Sequence, residues 1–144
     1  ALNSSDFYLY ESHQIRLFDP DSEANWQAKA NLLKSYQDSI GFEIFSITTT
    51  NDGNEYDEDK FFYAWYSALM YGHEATGWGE LGFSAFTLSN ALAPYRARPD
   101  IEPGSTFAGA VVTASPSFSR DTDVGTVFVN TATLESGMLF NITI

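Results

Sequence analysis

The chain has 144 residues, which is enough to bury one hydrophobic core and too few for two, so a single domain spanning 1–144 is expected. Hydrophobic residues make up 44% of it and charged residues only 18%, which excludes a disordered chain. Seven basic residues against nineteen acidic ones give a formal charge of -12, which repels nucleic acid and anionic membrane surfaces. No apolar run approaches the roughly 18 residues needed to span a bilayer, so membrane insertion is not expected.

Phe7 to Phe18 alternates, with Phe7, Leu9, Ile15 and Leu17 on one face, and reads as a strand bulged near His13. Asp19-Pro20-Asp21-Ser22-Glu23 carries the signals of a helix start, with Asp19 as N-cap, Pro20 in the first turn and acids where the helix dipole favours them. Trp26, Ala30, Leu33 and Ile40 follow at helical spacing, and Gly41 is a natural stop. Phe42 to Thr50 is rich in β-branched and aromatic residues and ends at the turn signature Asn51-Asp52-Gly53-Asn54, which predicts a strand.

Lys60 to Tyr71 is apolar almost throughout, so periodicity does not separate a strand buried on both faces from a buried helix. The aromatic residues Phe61, Phe62, Tyr63, Trp65 and Tyr66 favour strand, whereas Asp57, Glu58 and Asp59 ahead of them and Gly72 behind are helix signals. With 60–71 taken as strand, Gly72 to Gly77 is a loop and Trp78 to Asn90 a second strand forming a hairpin with it. Ser89 to Ser105 is a long connection punctuated by Pro94, Pro99 and Pro103. Thr106 to Ser115, Val124 to Leu134 and Gly137 to Ile144 alternate as three further strands, with Met138, Phe140, Ile142 and Ile144 sharing one face of the last. About seven strands and one helix predict a mainly β fold, an antiparallel sandwich or barrel with the helix packed on it.

Signatures of catalysis are incomplete. Gly82-Phe83-Ser84-Ala85-Phe86 has the first half of a nucleophile elbow and lacks its final glycine, and a Ser-His-acid triad would have to use His13 or His73. His73-Glu74 has Gly77 where a zinc motif needs its second histidine. The acids Asp52, Glu55, Asp57, Glu58 and Asp59 do not follow the spacing of a calcium loop, and a solvated turn explains them. Neither a metal site nor a cofactor is expected, and no glycine-rich loop carries the lysine of a phosphate site. Glu43, Glu74 and Glu80 lie in or beside aromatic strands and are the candidates for a carboxylate-dependent hydrolase, although nothing in their spacing selects a pair.

Two groups of residues point to binding. Arg96 and Arg98 stand with Tyr95 in the long connection of a chain with few basic residues, and Arg and Tyr are common interface anchors, so these three are the candidates for contact with a protein or cell-surface partner. Tyr63, Trp65, Tyr66 and Trp78 belong to the densest aromatic block and either fill the core or line a pocket for a small ligand or glycan. Sequons at Asn3 and Asn141 mark candidate glycosylation sites.

The Ala1-Leu2-Asn3-Ser4 start, the absence of cysteine and these two sequons resemble the small, acidic, secreted proteins of filamentous fungi, including those that elicit cell death in plants. That resemblance implies a secreted, extracellular protein, and the incomplete catalytic signatures put a non-enzymatic role first. Three readings follow in order: a non-enzymatic recognition protein of effector or elicitor type, a small-ligand or glycan-binding β-barrel, and a carboxylate-dependent hydrolase.

Overall fold

The computed structural model describes residues 3–11, 22–48, 58–73, 75–78, 109–123 and 125–140. The chain runs β1 (Phe7–Glu11), α1 (Glu23–Ile40), β2 (Glu43–Thr48), α2 (Glu58–Met70), β3 (Ala75–Trp78), β4 (Val112–Ala114), β5 (Ser117–Asp121), β6 (Gly125–Asn130) and β7 (Ser136–Phe140). The first three strands form a parallel sheet in the order β1-β2-β3, and the last four an antiparallel sheet in the order β4-β5-β6-β7. Neither sheet closes into a barrel, and the expected antiparallel sandwich gives way to a mixed α/β architecture.

The source of that difference is residues 60–71, which are helix. Phe61 and every residue from Tyr63 to Tyr71 are buried. A helix that is apolar all round is one that is covered all round, and α2 is covered by α1 on one side and by β5, β6 and β7 on another. Total burial erases the period that would have separated helix from strand, and packing overrides the β preference of the aromatics. The consequence extends to β3. A hairpin needs two consecutive strands, whereas a helix between two strands supplies the crossover that parallel pairing requires, and β3 lies parallel to β2, with Phe45 opposite Ala75. The expected hairpin is therefore absent, and Ala75 to Gly77, expected as loop, belongs to the strand.

Several boundaries agree with the sequence. α1 ends at Gly41 in the left-handed conformation, φ 81°, with its amide donating to the Gln37 carbonyl. Its N-cap is Ser22 rather than Asp19, because the Ser22 hydroxyl is the group that accepts from the Asn25 amide, at 3.4 Å. β2 falls where the β-branched run predicts it, and β1 covers the first part of the alternating segment. β5 has no counterpart in the expected strands. It is Ser-Phe-Ser-Arg-Asp, polar enough to read as loop, and it becomes a strand because Phe118 is buried against Trp26 with ring centroids 4.6 Å apart.

The larger of two core clusters joins both helices to the antiparallel sheet, while Leu33, Phe42 and Ile44 form a smaller one between α1 and the parallel sheet. Trp26 and Ala30 of α1, the buried residues of α2, Phe118 of β5, and Val127 and Val129 of β6 form a continuous cluster. Trp26 sits at its centre and is fully buried; its indole N–H donates to the Ser67 hydroxyl at 2.9 Å, and Ser67 in turn donates to the Tyr63 carbonyl at 2.7 Å. Glu23 ties the start of α1 to two turns of the antiparallel sheet, accepting from Ser115 at 2.8 Å and from Thr131 at 3.0 Å through one carboxylate oxygen.

Candidate functional site

The end of α2 is built by a paired capping arrangement. Gly72, at φ 70°, takes a left-handed conformation that costs glycine nothing, and it lets the His73 amide reach the Ala68 carbonyl at 3.0 Å and the Gly72 amide reach the Leu69 carbonyl at 3.1 Å. Side chains from elsewhere complete the cap. Arg120 of β5 donates to the Met70 carbonyl at 2.8 Å, where the helix dipole favours a cation, and Gln37 donates to the Gly72 carbonyl at 2.8 Å. Burial lowers the Arg120 pKa and raises that of Tyr71 beside it, with the attraction between the two acting against both shifts.

This cap places His73 at complete burial with its Nδ1 3.1 Å from the Ser46 hydroxyl of β2. A serine and a histidine at that distance have the relative geometry of a nucleophile and its base. The setting does not suit catalysis: Ser46 is also buried, and burial lowers the His73 pKa to about 4, so the imidazole is neutral and a weak base at neutral pH. The pair is a polar contact between β2 and the end of α2. Its partner was not legible in the sequence, because 27 residues separate the two and only the parallel pairing brings them together.

The sequence-derived candidates are scattered. Tyr63 and Trp65 are in the core, and Tyr66, though nearly as buried, borders a groove described below. Trp78 lies in β3, and its side chain is outside the described residues. Tyr95, Arg96 and Arg98 also lie outside, as do Glu74, Glu80, Asn141, His13 and the Gly82 to Phe86 segment. Glu43 is exposed at the start of β2, and Glu58 and Asp59 open α2. Asn3 is exposed in a turn ahead of β1, its side-chain oxygen accepting from the Ser5 amide at 2.8 Å. Among the described residues no group of three His, Cys, Asp or Glu side chains is placed to hold a metal ion, and no helix is long and apolar enough to cross a membrane.

Two hollows are lined by described residues. The smaller, of about 380 Å³, lies between α1 and the first sheet and is walled by Leu32, Leu33, Tyr36, Ile40, Phe42 and Tyr8, with Lys29 beside them. The larger, of about 710 Å³, runs along β7 where it passes α2. Asp59, Phe62 and Tyr66 of α2 form one wall, Met138 and Leu139 belong to the strand, and the β6–β7 turn closes one end with Leu134 and Glu135. The Phe62 and Tyr66 rings stack with centroids 6.0 Å apart, giving that wall a continuous aromatic surface. Leu134 adopts φ 62°, a left-handed conformation uncommon for a branched side chain, and it holds the apolar group against the core cluster beneath the groove. The groove was not foreseen from the sequence, since it depends on α2 being a helix that crosses beside an edge strand.

No protein-family model matches the chain, and no curated protein matches it. The site's chemistry is therefore read from its own residues.

Proposed function

We propose that this chain is a non-enzymatic recognition protein that acts outside the cell and binds a protein partner in the groove between α2 and β7. The observation that carries this reading is the groove itself, an opening of about 710 Å³ beside an edge strand, with an aromatic wall and two carboxylates at its border. Large exposed apolar side chains continue from it, for Leu139 is 66% and Phe140 42% accessible, and such patches on a soluble protein mark interaction sites. The exposed sequon at Asn3 and the acidic composition support an extracellular effector or elicitor role toward a host or cell-surface partner. The Tyr95, Arg96 and Arg98 segment is a second candidate contact on the same reading.

The test is binding of the immobilised chain to an array of displayed extracellular proteins, using wild type and Leu139→Arg. Leu139 is mostly exposed, so the variant should keep its melting temperature. The expected result is at least one binder retained by wild type and lost by Leu139→Arg. A binder set that Leu139→Arg leaves unchanged removes the groove from recognition, and turnover of a glycoside or ester panel by the purified chain would replace the reading with an enzymatic one.

A further inference from the structure

We propose that the outer edge of β7 accepts an extended peptide segment of the partner as a fifth strand, with a basic residue of that segment beside Asp59 and Glu135. This deepens the recognition reading above and rests on it. Among the described strands β7 is the last in its sheet and pairs only with β6. The Asn130 amide donates to the Glu135 carbonyl at 2.7 Å, which fixes the alternation along the hairpin. Residues in an antiparallel strand point both backbone groups to the same side, and successive residues to opposite sides. Glu135, Gly137 and Leu139 therefore turn toward β6, while Ser136, Met138 and Phe140 turn their N–H and C=O groups outward, along the groove.

The other end of the sheet offers no such template. β4 is three residues long with every residue exposed and no hollow beside it among those described, and short edge strands are a common protection against pairing. β7 provides five residues, about 17 Å of extended backbone. The cavity takes in Met138 on the face of the strand toward α2, and Leu139 with Phe128 of β6 on the other, so it wraps around the strand rather than lying on one face. Addition of a strand to an exposed edge draws affinity from main-chain hydrogen bonds and specificity from side-chain pockets. Here the pocket is formed by Phe62, Tyr66 and Met138 and suits an apolar side chain, while Asp59 and Glu135 suit a cation.

Charge selects against a second copy of this chain. Two molecules each at -12 repel, and pairing β7 with its own copy would bring Glu135 and Asp59 to a like-charged edge. A basic, apolar, extended segment meets both demands.

The experiment is an NMR titration of the full chain with an acetylated hexapeptide, Arg-Val-Thr-Val-Thr-Val, and with its counterpart carrying glutamate for arginine. Binding of the arginine peptide is expected to shift the amides of residues 136–140, with the glutamate peptide at least tenfold weaker at low ionic strength. Asp59→Lys combined with Glu135→Lys should reverse that preference. N-methylation of one alternate set of peptide amides should abolish binding while methylation of the other set is tolerated, and Ser136→Pro, which removes an outward N–H without touching the bonds to β6, should weaken binding at least tenfold. The methylated peptides give the answer even if Ser136→Pro fails to fold. Equal binding of the arginine and glutamate peptides, equal binding of the two methylated sets, or a chain that sediments as a β7-paired dimer overturns the proposal. Failure of every peptide to bind also overturns it, and the recognition reading survives that outcome if Leu139→Arg still loses its partner on the protein array, the groove then receiving a folded surface rather than a strand.

Discussion

Protonation of His73 should unfold this protein more readily than its general acid sensitivity would. The imidazole has an ordinary pKa near 6.5 in the unfolded chain and about 4 in the folded one, the shift being caused by burial. Between those values the unfolded state binds a proton that the folded state does not, so stability is complete above about pH 6.5 and falls as pH drops toward 4. A difference of roughly two and a half pKa units corresponds to about 3 kcal/mol when fully expressed, of which the larger part is lost by pH 4.5. Relief of the repulsion at -12 acts in the opposite direction on acidification, so the wild-type curve alone does not isolate the effect. Urea unfolding of wild type and His73→Gln at pH 7.5, 6.0, 5.0 and 4.5 does, since both share every other titrating group. His73→Gln should be less stable than wild type at pH 7.5, through lost packing and the lost Ser46 contact, and the gap should close or invert by pH 4.5, by about 2 to 3 kcal/mol. Parallel curves across the range would refute the argument, as would an imidazole resonance titrating near 6.5.

Removing the hydroxyl in Ser67→Ala leaves the buried Trp26 indole N–H without its acceptor and should cost about 1–3 kcal/mol; in a Trp26→Phe background the same change should cost at least 1 kcal/mol less, a coupling readable from a double-mutant cycle. Gly125→Ala places a Cβ against the Leu139 carbonyl oxygen and 2.8 Å from the Phe140 Cα, both backbone atoms that cannot rotate away. It should destabilise by about 1–3 kcal/mol and lower the hydrogen-exchange protection of the Thr126 and Phe128 amides, which distinguishes a displaced β6–β7 ladder from a general loss of stability.

The amphipathic helix α1, with Trp26, Ala30 and Leu33 buried and Gly41 as its stop, was legible because one side faces solvent and the 3.6-residue period survives. β1 was legible from its alternation and β2 from its β-branched composition, and β6 shows a strict alternation of buried and half-buried residues. The charge that makes a basic partner favourable is a property of composition alone.

The rest was decided by the tertiary structure. From Phe61 onward α2 is enclosed on several sides, so that stretch is apolar almost throughout and carries no period, and its helical state follows from what it packs against. Mistaking it for a strand converts a parallel βαβαβ unit into a hairpin and removes the alternation of strand and helix that identifies the fold class. The Trp26–Ser67 and His73–Ser46 contacts join residues 41 and 27 positions apart, and no local pattern encodes such pairs. The groove exists only where α2 passes the edge of β7, which brings Asp59 of one element to the same opening as Glu135 of a turn far along the chain. Local pattern follows from which side of a segment meets water, whereas the buried helix, the buried pairs and the groove follow from which segments meet each other.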